Sequence, residues 1–322
     1  MRVACITRDS NRKLGSFQVR CKELSIWMSI FGSGRYEIIP RTVQEIQKET
    51  TKYKASIFVK TLSNKGEFSE ESSPLGAQFV DVIDNEGLKP KGLSLRTGVI
   101  VLNENQQEDW NSTHHTWIIQ HAVSFWDDMK FTPKEIEQLP LRAATFSEWG
   151  NSGQDCYDIH GSSFTYNCIT LGTPHERENL FQERLPMCDV SKVIHNPLGT
   201  GFLFAELFRT FDVIVVPVKR HNKGGWKVKY GAIQRMTNAM ASGVVVAVEA
   251  MGTFLPYVSN YGCAFRDADS LKRLLEELAR NIELNRRCRQ QAKEIVFQFS
   301  PYSTVQKYEA MLDDWTVNFV NY

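Results

Sequence analysis

The 322 residues carry 38 lysines and arginines against 37 aspartates and glutamates, a formal net charge of +1, and 42% of them are hydrophobic. That composition excludes a chain too poor in apolar surface to fold, and the balanced charge excludes a general nucleic-acid binder, which carries a strongly basic domain. The length suits two domains.

RVACIT at the start is a short apolar run and predicts a first strand. FQVRCKELSIWMSIFG follows, with Val19, Leu24, Trp27, Met28, Ile30 and Phe31 near helical spacing and Gly32 closing the segment. YEIIP predicts a second strand, QEIQKETTKY a polar helix, KASIFVKT a third strand and AQFVDVID a fourth that ends on Asp81 and Asp84. GVIVLN and TWIIQHA supply the fifth and sixth. Strands spaced by helical or loop segments predict α/β crossovers on a parallel sheet.

FTPKEIEQLPLRAATFSEWGNSGQDC reads as a helix, a short strand and a polar connector, and the turn-forming NSGQD places a domain boundary near residue 155. The alternation then resumes. FTYNCITLG, SKVIHNP and FDVIVVPV predict strands, and ERENLFQERLPM and GFLFAELFRT predict helices. A basic loop leads to GAIQRMTNAMASGVVVAV, a helix that Gly243 ends before a buried strand. YVSNYGCAFR predicts a turn and a short strand, and DSLKRLLEELARNIEL a helix capped by Asp269 or Ser270, with another helix through Val296. The last helix has Ser300 as N-cap and Pro301 in its first turn, with Val305, Tyr308, Leu312, Trp315 and Phe319 on one face. The pattern predicts α/β architecture, with two domains of similar size in tandem over residues 1–155 and 156–300 and a terminal helix over 301–322.

Seven cysteines are scattered without a C-x-x-C pair, a poor zinc or disulfide framework, so they are expected as reduced core residues of a cytoplasmic protein. MRVACITRDSNRK lacks the apolar stretch of a signal peptide. No apolar run approaches the roughly 18–20 residues that span a bilayer, which leaves peripheral membrane contact open. The sequon at Asn111 is expected to be idle.

Ligands of parallel sheets bind outside the carboxyl ends of the strands. Four loops therefore stand out. After FDVIVVPV, the chain carries Lys219, Arg220, Lys223, Lys227 and Lys229 with Gly224 and Gly225, and then opens a helix near Gly231. A helix N-terminus offers unpaired N–H groups and glycines allow close backbone approach, so this segment reads as a diphosphate cradle or as a solvated basic loop. Gly172 ends the FTYNCITLG strand, and Arg177 either reaches a phosphate or pairs with Glu178 or Glu183. Asp81 and Asp84 read as a base, hydroxyl ligands or turn caps. His121, at a strand end, suits a hydrogen bond to a substrate hydroxyl, a general base or a satisfied buried histidine. His114, His115 and His121 lack the spacing of a zinc motif, so no metal is expected. Trp126 and Trp149 are candidates to stack on a sugar ring or to fill the core.

DVIVVPV, the basic loop, KYGAIQRMTNAMASGVVVAV, YVSNYGCAF, DADSLKRLLEELARNIELNRRCRQQA and FQFSPYSTVQKYEAML occur in one order. That order resembles the C-terminal half of GT-B glycosyltransferases, in particular the family 4-like group, over residues 165 to 315. The resemblance implies two Rossmann-like domains facing across a cleft, with a nucleotide sugar (a UDP- or GDP-sugar) mainly on the second. It also implies a glycan, lipid-linked or other hydroxyl acceptor mainly on the first, a terminal helix that crosses back to the first domain, and no cofactor. Arg235 matches a basic residue near the diphosphate, Gly172 the glycine of the first loop, and His121 a histidine that contacts the donor sugar. The E-x7-E carboxylate pair of that family falls on Tyr230 and Asn238, and Leu255 and Pro256 stand where a glutamate is frequent. Asn238 is left to hold a ribose hydroxyl as a neutral amide. A polysaccharide-type glycosyltransferase is the expected function, and a catalytically silent GT-B module that binds a glycan or protein the alternative. A sugar epimerase fits less well, since no glycine fingerprint follows the first strand.

Overall fold

Continuous apolar runs such as ASIFV, GVIV, VIVV and VVAVE are buried along their whole length, as strands covered on both faces of a parallel sheet must be. A computed structural model describes residues 1–7, 18–49, 53–59, 77–82, 93, 96–123, 136, 139–147, 156–171, 174–194, 199–218 and 233–318. Its chain divides into two units: the described residues up to Ala122 with those from Ser300 onward, and those from Val123 to Phe299.

The first unit holds β1 (Arg2–Thr7), β2 (Glu37–Thr42), β3 (Ala55–Val59), β4 (Ala77–Asp81), β5 (Gly98–Val101) and β6 (Thr116–Ile118). They form one sheet in the order β2-β1-β3-β4-β5-β6, every pair parallel. A π-helical turn, Gln18–Glu23, runs into α1 (Leu24–Phe31). Thr42 ends β2 and starts α2 (Val43–Lys48) through a capping box with Glu45, and Asn103 caps α3 (Glu104–Asn111). All six strands fall on the segments expected.

In the second unit the order is β11-β10-β9-β7-β8, again parallel throughout. Its strands are β7 (Leu141–Ser147), β8 (Phe164–Thr170), β9 (Val213–Val216), β10 (Val245–Glu249) and β11 (Ala264–Phe265). The helices are α4 (Pro174–Arg184), α5 (Val190–Ile194), α6 (Gly199–Arg209), α7 (Gln234–Ala241), the short α8 (Leu255–Val258), α9 (Ala268–Leu278) and α10 (Ile282–Phe297).

Three expectations differ here. The second sheet starts at Leu141 rather than after residue 155, because β7 is a central strand. Leu141, Ala143, Ala144, Thr145 and Phe146 are buried, and Asp212 anchors its start by accepting the Arg142 N–H at 2.8 Å and pairing with the guanidinium at 3.1 Å. The described part of SKVIHNP, Ser191 to Ile194, is not a strand. The Val193 N–H donates to the Asp189 carbonyl at 3.1 Å, which turns Val190–Ile194 into a short helix behind a residue suited to helix starts. The cap of α9 is Asp267, in a capping box with Ser270.

The cysteines are a further correction. Cys5–Cys21, Cys156–Cys168 and Cys263–Cys288 are disulfides with Cα atoms 5.4, 6.1 and 5.9 Å apart, and Cys188 is the free one. Their sequence separations of 16, 12 and 25 carry no signature, since each pair is made by the fold rather than by a local motif.

The terminal helix α11 (Pro301–Asn318) belongs to the first unit. Ser300 Oγ accepts the Ser303 N–H at 3.1 Å as its cap. Val305, Tyr308, Leu312 and Trp315 are buried, as their spacing predicts, while Phe319 lies outside the described residues. Trp315 packs 5.0 Å from the Phe79 ring and 6.0 Å from Trp117. Glu309 accepts from the Ser33 N–H and hydroxyl at 2.8 and 2.6 Å, and Asp313 pairs with Arg35 at 2.8 Å. Among the described residues no helix is long and apolar enough to cross a membrane.

Candidate functional site

The strand order of the second sheet reverses at β7: β8 lies on one side, and β9, β10 and β11 follow on the other. Such a reversal opens a crevice at the carboxyl ends of the strands, where α/β proteins place their ligands. Three groups mark that edge. Arg235, half-buried in the first turn of α7, donates through Nη2 to the Phe146 carbonyl near the end of β7. Glu249, fully buried at the end of β10, accepts the Val218 N–H at 2.8 Å where the chain leaves β9. The N-cap position of α7 is Ile233, whose apolar side chain makes no capping bond. No N-cap side chain therefore claims the first-turn N–H groups, the usual donors to an anion. Asn238 follows Arg235 by three residues on the same helix and is half-buried, so the two share a face. Helix α7 ends at Ala241 with Ser242 as C-cap, and Gly243 takes the left-handed φ of 77° that lets the chain turn directly into β10.

Arg177 stands in the first turn of α4, past the carboxyl end of β8. Its guanidinium lies 5.9 Å over the Phe204 ring rather than on Glu178 or Glu183, and Glu183 pairs instead with Arg184 at 3.7 Å. The buried Nε of Arg177 has no hydrogen-bond partner among the described residues.

The first sheet reverses between β1 and β3, and there the Thr7 hydroxyl donates to the Val59 carbonyl at 3.1 Å. Asp81, at the end of β4, is not available as a solvated base: it is buried 3.0 Å from Arg20 Nε. Past β6 come Ile119, Gln120 and His121, all buried, and His121 is only 4% exposed. Gln120 Nε2 donates to the Leu102 carbonyl, and the Leu102 N–H donates to Gln106 Oε1 at 2.7 Å. His115 pairs with Asp314 at 3.0 Å, and His114 Nδ1 lies 3.0 Å from Thr113 Oγ1. Among the described residues no cluster of three metal-ligating side chains occurs.

Of the expected site residues, Arg235, Asn238 and Arg177 belong to the second unit, and His121 to the first. Asp84, Gly172, Lys223, Lys227 and Lys229, with Trp126 and Trp149, fall outside the described residues. Among the buried charges that escaped the sequence reading are Glu249 and Arg20. Glu249 is the one charge closing VVVAVE, a run otherwise read only as a strand. Arg20 sits inside a helix-like segment where nothing marks it off from surface arginines.

No family model and no curated protein matches the chain. Solved structures do. T4 phage BGT in complex with its UDP-glucose substrate aligns at a TM-score of 0.56 and 11% identity, covering 99% of this chain and 100% of that one. Sucrose-phosphate synthase from Thermosynechococcus elongatus aligns at 0.54 and 11%, covering 98% and 99%. Anabaena Alr3699/HepE in complex with UDP aligns at 0.53 and 11%, covering 98% and 100%. At such identity the likeness shows the fold alone: two parallel-sheet α/β domains in the GT-B architecture, with the terminal helix returned to the first.

Proposed function

We propose that the protein is a glycosyltransferase that moves a sugar from a UDP- or GDP-sugar to a hydroxyl acceptor such as a glycan or a lipid-linked sugar. The observation that carries this reading is Arg235, tethered to the end of β7 at the reversal of the second sheet, beside a helix start whose N-cap position holds isoleucine. Full-length GT-B neighbours solved with UDP or UDP-glucose support it.

In this reading the second domain holds the nucleotide. The first turn of α7, Arg235 and the lysines Lys223, Lys227 and Lys229 stabilise the charge that develops on the departing diphosphate, which needs neither cofactor nor divalent metal. Gly172 lets the backbone approach the donor and Arg177 adds a second cation. Asn238 takes a ribose hydroxyl. On the first domain His121 and Asp84 orient sugar hydroxyls, and one of them serves as base if the reaction inverts. Membership in the family 4-like group and peripheral membrane contact belong to the same proposal. A cytoplasmic location does not, because three disulfides speak against a reducing compartment.

Asn238 favours a second reading, a catalytically silent module, since a neutral amide stands where the resembling family has a carboxylate. Thermal-shift titration with UDP, GDP, ADP and CMP, followed by hydrolysis of the matching sugar nucleotides, separates the two. The enzyme is stabilised by one nucleotide and hydrolyses its donor; the module does neither. Arg235→Ala is expected to lower donor turnover by about 10²–10³-fold, the cost of one preorganised charge-stabilising donor, at a melting temperature close to that of the parent. Parent-like turnover in a folded Arg235→Ala protein overturns the diphosphate assignment.

A further inference from the structure

Arg20, on the π-helical turn, has no part in the reading above, yet each nitrogen of its guanidinium stands within 3.4 Å of an oxygen. Nη2 donates to the Ile119 carbonyl at 2.6 Å, and Nη1 donates to the Gln120 carbonyl at 3.4 Å and the Tyr308 hydroxyl at 3.0 Å. Nε stands 3.0 Å from Asp81 Oδ2, with the two side chains 2% and 0% exposed. Burying a cation this deeply is unfavourable unless its partners are well placed. Stability alone would need only the carboxylate, whereas here two donors reach consecutive main-chain carbonyls beyond the last strand of the sheet. The Ile119 N–H still belongs to the ladder, donating to the Val101 carbonyl at 2.9 Å. Arg20 therefore takes over where sheet pairing stops, and the next residue is His121. A planar five-donor fork can fix two peptide planes at once; a lysine cannot.

We propose that Arg20 is a positioning residue for His121. By holding the carbonyls of Ile119 and Gln120 it sets the direction in which the chain presents the imidazole, and Asp81 and Tyr308 keep the fork in place. The inference rests on the reading of His121 as a contact for donor-sugar hydroxyls, and it names what makes that contact possible.

The test uses Arg20→Lys and Tyr308→Phe in the full chain, with the exposed pair member Arg2→Ala as control. The first readout is independent of turnover: the NMR resonance of the His121 Cε1–H group and its titration midpoint, with His115 as internal reference. Both are expected to move in Arg20→Lys, less in Tyr308→Phe and not in Arg2→Ala, while His115 stays in place. The second readout is hydrolysis of UDP-glucose, where kcat is expected to fall by roughly 10- to 100-fold in Arg20→Lys, the scale of a misplaced contact, with KM within about threefold. His121 signals that superimpose on those of the parent in the folded variants overturn the proposal. If Arg20→Lys does not fold, Tyr308→Phe decides by the same comparison. A parent protein that neither binds UDP nor hydrolyses UDP-glucose counts against the glycosyltransferase reading, and the imidazole signals still decide the positioning role.

Discussion

Tyr308 shows how one buried group ties chemistry to pH. Burial pushes its phenol up to about 12 from the ordinary 10.0; the Arg20 charge pulls the other way and Asp81 adds to the rise. A pKa raised in the folded state means that the neutral phenol is favoured there. Its contribution is complete below about pH 10 and is lost as the pH climbs toward 12. Absorbance titration of tyrosinate should therefore show a late-ionising tyrosine that Tyr308→Phe removes, alongside Tyr36, which burial also raises to about 12. A Tyr308 that ionises at the ordinary value would contradict the buried hub. Single residues were the least legible part of the sequence. Arg235 and Asn238 stand as candidates because an ordered set of motifs surrounds them. Arg20 and Glu249 could not be picked out, because their partners, main-chain groups among them, are distant in sequence, and nothing in a linear string announces which carbonyl or N–H the fold will bring to a charge.

At the level of elements, hydrophobic patterning served well wherever a strand is buried on both faces, as ASIFV and VVVAV show. It said less where composition was mixed. LRAATFS is the short strand expected, but its half-polar appearance hid its central place, where its alanines and Thr145 fit inside a closely packed sheet. SKVIHNP looked extended, but its described part, Ser191 to Ile194, is helical. The disulfides were invisible for a related reason, since pairing depends on Cα separations that only the assembled sheet creates. Cys5–Cys21 joins β1 to the π-helical turn that bears Arg20. Closing so short a loop is worth about 3 kcal/mol by loss of unfolded-chain entropy. The Cys5→Ser, Cys21→Ser double variant should melt several degrees lower than the parent in a calorimetric scan, and reductant, by opening the bridge in the parent, should remove the part of the difference due to it. Identical melting of oxidised parent and variant would show that the bridge constrains nothing.

For the molecule as a whole, the alternating pattern correctly announced two parallel sheets, and the stripe on the last helix announced a buried face. The pattern could not give the point of division, because β7 precedes the turn-rich connector that mimics a boundary. The first domain is closed by α11. Truncating Trp315 to alanine removes a ring that packs against Phe79 and Trp117, and should cost about 3–5 kcal/mol. That loss should appear as a lower melting transition, with hydrogen exchange rising in β4 to β6 and leaving β9 and β10 protected. Uniform loosening of both sheets would argue against two separate units.

The return of α11 to the first sheet also has a consequence for synthesis. A ribosome makes residues in order, and domains made first generally fold first. Here that order is inverted. The second domain has every residue of its sheet once Phe299 has emerged, whereas β4 and β6 wait for Trp315 with the Phe79 and Trp117 rings uncovered. Of the two units, the one whose strands are made first is therefore the last to be finished.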